Sequence, residues 1–422
     1  MRNRRVHDIA LLTLVAVACA LAPSVPAGGT PQAHVRDVGP MVGFRRWESS
    51  YTVAVADVNG DGWPDVLIGH HGSRPAELFM NQPYQGRSIG FEPVHQFVDT
   101  IHDRPDRHGC IFGDPNQDGR LDLLCMKGAQ QGSAKKWNEL WIQGPKGTWT
   151  DEAHRWGIED VWGRGRHAAW LGLNHDSWPD LLLCNDEPRA DAHTTPNRTY
   201  VNEHGTHFQQ VNMGITTQDG CWFVQAVDVN GDGWDDLLLG GDSAVHLYVR
   251  QGDRFVDESA QYGVPQTPFA TGGELVDVNG DGILDLVLVH LKDLEVRLGG
   301  PDGRFGPPVY QHSMQHGHEL AIGDVDGNGT PDIYVVDGCF NRVNEPDLLL
   351  LNGGDGRTWT KLPLPALPEG ELAGCGDTAA MVDFDRDGMQ DIVVLNGGGN
   401  AQPLDLNGPD QLLTLGDWQP LR

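Results

Sequence analysis

The sequence predicts an all-β chain folded as a seven-bladed propeller of four-stranded blades, and three observations carry that prediction. A nine-residue acidic loop recurs seven times, β-prone runs flank every copy, and 55 Gly with 27 Pro punctuate those runs with turn residues. The first copy is Asp57-Val58-Asn59-Gly60-Asp61-Gly62-Trp63-Pro64-Asp65, with carboxylates or amides at the first, third, fifth and ninth positions and glycine at the sixth. Further copies begin at Asp114, Gly172, Asp228, Asp277, Asp324 and Asp383, at spacings of 57, 58, 56, 49, 47 and 59 residues. A period of about 50 residues with four strand signals per unit is that of propeller blades.

Each unit carries the same four signals in order. A β-prone run enters the loop, as in Thr52-Val53-Ala54-Val55 and Cys221-Trp222-Phe223-Val224. A second leaves it, as in Leu121-Asp122-Leu123-Leu124 and Leu286-Val287-Leu288-Val289; these runs are almost continuously apolar, as strands covered on both faces must be. A third follows a variable loop (Glu77-Leu78-Phe79-Met80, Glu139-Leu140-Trp141-Ile142, Asp347-Leu348-Leu349-Leu350). A fourth is expected to start at an aromatic: Phe91, Trp149, Phe208, Phe255, Phe305 and Trp359. The seventh unit lacks a fourth run after Asp410-Gln411-Leu412-Leu413-Thr414-Leu415, whereas Val35-Arg36-Asp37-Val38 with Gly43 aligns with Phe255-Val256-Asp257-Glu258 with Gly263. The N-terminal strand is therefore expected to complete blade seven and close the ring, which removes open sheet edges.

The loops have the donors of a hard-cation site. Ca2+ takes six to eight oxygens from flexible ligands, usually including a backbone carbonyl, and a sharply turned loop with acidic residues at alternating positions supplies them. The pattern is not an EF-hand, because Ile68 stands where a bidentate Glu is needed and a β-prone run follows. Expected ligands are Asp57, Asn59, Asp61 and Asp65 with the Trp63 carbonyl in blade one, and Asp114, Asn116, Asp118 and Asp122 with that of Arg120 in blade two. Blade four offers Asp228, Asn230, Asp232, Asp236 and the Trp234 carbonyl; blade five offers Asp277, Asn279, Asp281, Asp285 and that of Ile283. Blade six offers Asp324, Asp326, Asn328, Asp332 and the Thr330 carbonyl. Blade seven offers Asp383, Asp385, Asp387, Asp391 and the Met389 carbonyl, the highest charge of the set. The loop of blade three, Gly172-Leu173-Asn174-His175-Asp176-Ser177-Trp178-Pro179-Asp180, lacks the first carboxylate and the turn glycine and is expected to hold no ion or a weak one. About six Ca2+ ions are thus expected; magnesium fits less well because it demands a tighter octahedral shell.

The chain has 422 residues and a formal charge of −29, which argues against nucleic acid and anionic membrane surfaces as partners. Over a third of the 59 acidic residues lie in the seven loops, so bound cations would neutralise much of that charge. Arg2, Arg4 and Arg5 precede an apolar stretch from Ile9 to Ala22, with small residues at Val25-Pro26-Ala27, the pattern of a cleaved secretory signal over residues 1–27. Residues 28–422 then form one propeller domain, exported to the periplasm or beyond the cell, with no transmembrane segment and a monomer as the default state. Outside that leader six cysteines remain, an even count that favours disulfides in an oxidising compartment. The repeat register pairs Cys184 with Cys221, Cys339 with Cys375, and Cys110 with Cys125.

With its D-x-[DN]-x-[DN]-G-x-x-D loops, six of seven intact, and unit endings such as Phe255-Val256-Asp257-Glu258-Ser259-Ala260, the chain resembles the FG-GAP/VCBS repeat propellers, which are integrin-α-like, over about residues 33–418. The resemblance implies calcium in the loops joining the first and second strands of each blade and ligand binding on the opposite face. The family is functionally mixed, so the ligand does not follow from it.

Two equivalent positions mark that opposite face. Five residues after each loop stand His70, Lys127, Asn185, Gly241, His290, Asp337 and Asn396; six residues before each loop stand Tyr51, His108, Arg166, Trp222, Thr271, His318 and Asp377. His71, His167, Asp186, Glu187 and Glu274 are close in sequence. A polar propeller rim is the plain reading of such positions, since loop ends are usually polar. The sharper reading is a ligand mouth formed by His70, His108, Arg166, His167, Trp222, His290, His318 and Asp337, with Trp222 as a stacking surface and the histidines as metal ligands or acid–base groups. No G-x-S-x-G elbow, H-E-x-x-H or P-loop is present. The expected function is a calcium-stabilised protein- or glycan-binding adhesion module. The alternative is a polysaccharide lyase-like enzyme on the same scaffold, with a His or Tyr base and an Arg or calcium neutralising a uronate.

Overall fold

The computed structural model describes residues 34–44, 50–70, 74–98, 106–128, 137–186, 195–215, 220–338, 346–365, 376–397 and 408–415. The leader segment, the Cys339–Cys375 pair and much of the long upper loops lie outside the described residues. Seven antiparallel sheets of four strands follow one another, and helix among the described residues is limited to single turns such as Ala153–Trp156 and Ser259–Tyr262.

In blade one the strands are Ser50–Ala56, Asp65–His70, Ala76–Tyr84 and Arg87–Phe97, joined in simple meander order. Blades two to six repeat this, starting at Arg107–Gly113, Gly165–Leu171, Phe223–Val227, Ala270–Val276 and Gly317–Gly323. Blade seven comprises Thr378–Val382, Asp391–Leu395, Gln411–Thr414 and, as its fourth strand, Arg36–Asp37, whose residues pair with Thr414 and Leu413. The seven first strands pack side by side in cyclic order, the last against the first, and so surround the axis. Second strands are buried along their whole length, whereas first strands keep partly buried residues such as Val224, Gln225 and Glu274 along the axis.

Aromatic residues near each fourth strand lock neighbouring blades. The Phe91, Phe255 and Phe305 N–H groups donate to the Val42, Met213 and Tyr262 carbonyls of the preceding blade at 2.6–2.8 Å. A left-handed glycine follows each acceptor (Gly43, Gly214, Gly263), and a Cβ there would come within 2.8–3.0 Å of the aromatic residue's own carbonyl. Only glycine accommodates both the turn and that approach. The sequence reading expected Phe91 and Phe305 each to start a fourth strand, but Phe91 lies inside Arg87–Phe97 and Phe305 keeps this contact while lying before its strand. Phe305 makes an isolated bridge with Gly299, and the strand is Tyr310–Ser313. Pro307 and Pro308 intervene, and neither has an N–H to give the ladder. Cys221 likewise precedes the first strand of blade four, which begins at Phe223.

Two disulfides lie in the expected pairs. Cys110 and Cys125 are cross-strand partners with Cα atoms 4.2 Å apart, and Cys184 joins Cys221 of the next blade across 5.4 Å.

A second inter-blade link runs through the third strands. The Asn81, Asn202 and Asn352 amides donate to the carbonyls of Phe384, Pro115 and Val278, each the second residue of the preceding blade's acidic loop, at 2.7–2.9 Å. Gln143 reaches Val58 and Arg250 reaches Leu173 in the same way. Replacing Asn202 by Ala leaves the buried Pro115 and Pro179 carbonyls without this donor and should destabilise the fold by about 1–3 kcal/mol, read as a lowered melting temperature. Deleting residues 28–42 removes the Arg36–Asp37 pairing and the buried Val38 and Val42 side chains, so it should lower the melting temperature sharply; an unchanged value would mean that this strand does not hold blade seven.

Candidate functional site

Both ends of the first and second strands carry candidate chemistry. At the lower end, all seven acidic loops join a first strand to a second strand. Each loop turns twice through the left-handed region. The sixth residue does so at Gly62, Gly119, Gly233, Gly282, Gly329 and Gly388, with φ between 82° and 92°. The fourth residue does so too, and there non-glycine residues Gln117, His175 and Arg386 are tolerated. In the six intact copies the first aspartate accepts the N–H groups of the fifth and sixth residues, as Asp57 does from Asp61 and Gly62 at 3.0 and 2.6 Å. These bonds hold the first aspartate across the turn.

The ninth aspartate is different. Asp65, Asp122, Asp180, Asp236, Asp285, Asp332 and Asp391 are at most 3% exposed and open the second strands. In six blades one oxygen accepts the N–H of the loop's second residue, as Val58 donates to Asp65 at 2.9 Å. In blades one to six the other accepts an N–H at the third strand, as Asn81 donates to Asp65 at 2.9 Å. Blade two departs because Pro115, its second residue, has no N–H, and Asp122 Oδ2 makes no hydrogen bond among the described residues. Burial raises these carboxyls, to about 7 for Asp65 and Asp332 and about 8 for Asp122 and Asp391. The main-chain donors and the loss of solvent pull in opposite directions, and burial wins; a bound cation is the usual counterweight.

The residues fit a hard cation best in blades six and seven, where one oxygen each from Asp324, Asp326 and Asp332, and from Asp383, Asp385 and Asp391, lie within 4.8 Å of one another. Every side-chain donor there is oxygen, which suits calcium. In blade two the Arg120 guanidinium pairs with Asp118 and already supplies positive charge to that loop. Arg386 of the blade-seven loop lies over the Trp63 ring of the blade-one loop, 4.6 Å from its centroid. Blade three is braced by its neighbour: Asp235 accepts the Gly172 N–H at 2.7 Å, and His175 stacks on Trp234 with ring centroids 3.4 Å apart. Ser177 adopts the sixth-position turn at φ 73° without glycine.

At the upper end the first strands share a feature that no sequence pattern announced. The pairing with the second strand slips by one residue at Tyr51, His108, Arg166, Thr271 and His318. In blade four Trp222 and Phe223 both oppose Gly240, and in blade seven Asp377 and Thr378 both oppose Leu395. The seven bulged residues are those found six positions before each loop. A bulge re-aims a side chain that a regular ladder would hold in the pleat.

Several of them meet. Tyr51 packs edge-on against His108 with centroids 4.7 Å apart, and the Arg166 Nη1 lies 3.2 Å from His108 Nδ1. Arg166 and Arg164 both pair with Asp186 at 2.6 Å. Trp222 lies edge-on to His318, which donates from Nδ1 to the Asp377 carbonyl at 2.9 Å. Burial lifts the Tyr51 hydroxyl well above the usual phenol range, although Arg166 pulls it down. Burial first, then the charges of Arg166 and His318, push His167 to about 4. Glu274 and Glu319 are raised by burial to about 8 and about 7.

His70, His290 and Asp337 are placed differently. Each stands on a second strand, paired with the residue just before a bulge (Ser50, Ala270, Gly317), and is buried, as the bulged His108, Thr271 and Asp377 also are. His70 lies 3.8 Å from Glu77 of the third strand, and His290 lies 3.4 Å from the Thr267 hydroxyl. They sit inside blades, apart from the bulge residues, and no histidine cluster with metal-ligand spacing occurs among the described residues. Arg164 and Glu319 were not singled out from the sequence. For Arg164 a signal existed, because it stands two residues before Arg166, the spacing that puts side chains on one face of an extended segment.

Five segments of the chain match the FG-GAP-like repeat: residues 57–125, 172–239, 228–288, 277–335 and 324–394. No curated protein sequence matches it significantly. Among solved structures the chain is similar to an Agrocybe aegerita lectin described as recognising non-reducing terminal N-acetylglucosamine, at 16% identity and a TM-score of 0.50, covering 74% of this chain and 80% of the lectin. It is also similar to BBS1N, solved in complex with ARL6DN, at 11% identity and a TM-score of 0.52, covering 88% of this chain and 94% of that one. At these identities the likeness is one of fold.

Chelation with EDTA should lower the melting temperature by many degrees and added calcium should restore it, because each loop concentrates carboxylates whose repulsion a cation removes. His175→Ala should leave that calcium response unchanged, since blade three has no first carboxylate; an EDTA-insensitive melting temperature would remove the calcium assignment.

Proposed function

Because this chain belongs to the FG-GAP-like repeat family, we propose that it is an exported, calcium-stabilised binding module that takes a glycan on the face opposite its acidic loops. The observation that carries the reading is the ring of bulged first-strand residues. Tyr51, His108, Arg166, Trp222, Thr271, His318 and Asp377 occupy one register at the upper end of the axis and combine aromatic faces with hydrogen-bonding groups. Glycans present apolar ring faces edged by hydroxyls, and sites for such ligands use a few polar groups set among aromatic walls. The lectin among the structural neighbours supports a glycan as ligand; BBS1N in complex with ARL6DN keeps a protein ligand as the comparison to test. Two disulfides support an oxidising, exported location.

The calcium ions belong to the scaffold in this reading. Asp324, Asp326, Asp332, Asp383, Asp385 and Asp391 would hold two of them, and the loops of blades one, two, four and five the others. They hold turns on the lower face, while the ligand is held at the other end of the same strands.

A second reading rests on the contact of Tyr51, His108 and Arg166, which has the groups of a lyase: a base and a cation to neutralise a uronate carboxylate. The electrostatics favour binding over this chemistry. A Tyr51 hydroxyl pushed upward keeps its proton and serves as a donor rather than as the base.

A glycan array should return binders for the calcium-loaded protein, and Arg166→Ala should weaken the best of them by about tenfold or more, as loss of a charged hydrogen-bond donor does. No unsaturated-uronate absorbance should develop with uronate-containing polysaccharides. Such absorbance, abolished by His108→Ala, would establish the enzyme instead.

A further inference from the structure

Phe269 stands just before the first strand of blade five, on the upper face, with φ +60° and half of its surface exposed. Left-handed backbone is an outlier for a bulky aromatic residue, and it persists only where surrounding structure imposes it. Two hydrogen bonds impose it here. The Phe269 N–H donates to the Asp242 carbonyl of blade four at 3.1 Å, and its carbonyl accepts from the Leu291 N–H of blade five at 3.3 Å. The residue therefore bridges the upper hairpin loops of two blades through its main chain alone. Its side chain is left outside the core, next to exposed Gln266, Thr267 and Pro268.

Stability does not account for this choice of residue. Glycine would relieve the backbone and keep both main-chain bonds, while an exposed phenyl ring gains little from packing. The surroundings point to what the ring is for. The same blade-four corner that anchors Phe269 at Asp242 anchors Trp222 at Gly240, whose carbonyl accepts the Trp222 N–H at 2.7 Å. Two aromatic residues thus flank Gly240-Gly241-Asp242, a corner with no side chain at its first two positions. The Trp222 indole N–H is buried and makes no hydrogen bond among the described residues, and Ser243 just beyond the corner is exposed. A buried donor without a partner is rare in a finished structure and points to a ligand or water that supplies the acceptor.

We propose that Phe269 and Trp222 form a stacking subsite for a neutral sugar ring at the blade four–blade five corner, where the ring of bulged residues meets the rim, apart from the Tyr51–His108–Arg166 group. This rests on the glycan-binding reading given above. The occupant matches the site: a pyranose offers C–H faces to the rings and a hydroxyl oxygen to the Trp222 N–H. An aliphatic or aromatic peptide side chain would use the rings but leave that donor unmet.

The test compares Phe269→Gly, Phe269→Tyr and Arg166→Ala with wild type, using the calcium-loaded protein on an array of neutral oligosaccharides and saturation-transfer NMR with the best binder. Phe269→Gly should leave the melting temperature unchanged or raised while weakening that binder by about tenfold. Phe269→Tyr should keep both stability and affinity, and the strongest saturation should fall on ring C–H protons. A lowered melting temperature with unchanged affinity in Phe269→Gly would make the residue structural and overturn the proposal. If Arg166→Ala loses binding and Phe269→Gly does not, the subsite fails and the wider reading stands. If the wild type binds no glycan, or captures only a protein ligand that sugars do not displace, both fail.

Discussion

The structure depends on one buried carboxylate repeated seven times. In each blade the last aspartate of the acidic loop opens the second strand and is almost wholly removed from water. In five of the blades its two oxygens tie the loop's second residue to the third strand through main-chain donors. Most of the third-strand residues that supply a donor then reach, through their own side chains, the second loop residue of the blade before. A local turn thus joins a chain of hydrogen bonds that crosses five of the seven blade boundaries among the described residues. Blade five sends no such side chain to blade four because Gly299 has none and could take none, since a Cβ there would lie 2.3 Å from the Leu284 carbonyl.

Such a chain has an electrostatic cost. Desolvation lifts these carboxyls toward neutrality, and the other loop aspartates beside them add repulsion. Two loops show cationic side chains meeting part of that demand, Arg120 on Asp118 and Arg386 over the Trp63 loop, whereas around blade three the His175–Trp234 stack and the Asp235–Gly172 bond brace the turn itself. Blade three therefore keeps the two left-handed turns of its neighbours at His175 and Ser177, without their glycines and without a first carboxylate. The lower face is a set of braced turns whose backbone path is the same whether or not the ligand set is complete.

At the other end of the same strands the constraint is relaxed. The bulge near the start of each first strand frees one side chain from the pleat, and those seven positions hold Tyr, His, Arg, Trp, Thr, His and Asp where the strands behind them are apolar. The acidic loops and the seven re-aimed side chains therefore lie at opposite ends of the same strands.

Much of this was legible in the residues. Spacing of the acidic loops, apolar second runs and the missing seventh fourth strand are local, periodic signals, and they determined blade number, strand order and the register that pairs Cys110 with Cys125 and Cys184 with Cys221. The six-before-loop register also picked out the bulged residues, because a residue's distance from a fixed turn sets its height along the strand. What the sequence could not decide is which of two residues at one height faces the mouth. His70 and Tyr51 stand at nearly the same level, yet a one-residue slip in pairing turns Tyr51 against His108 of the next blade and leaves His70 against Glu77. Phe305 shows the same limit, since its inter-blade bond survives while two prolines move the strand beyond it. Phe269 was invisible for a related reason: its backbone is set by one bond from each of two neighbouring blades, and no local pattern encodes a conformation that only the assembled ring imposes.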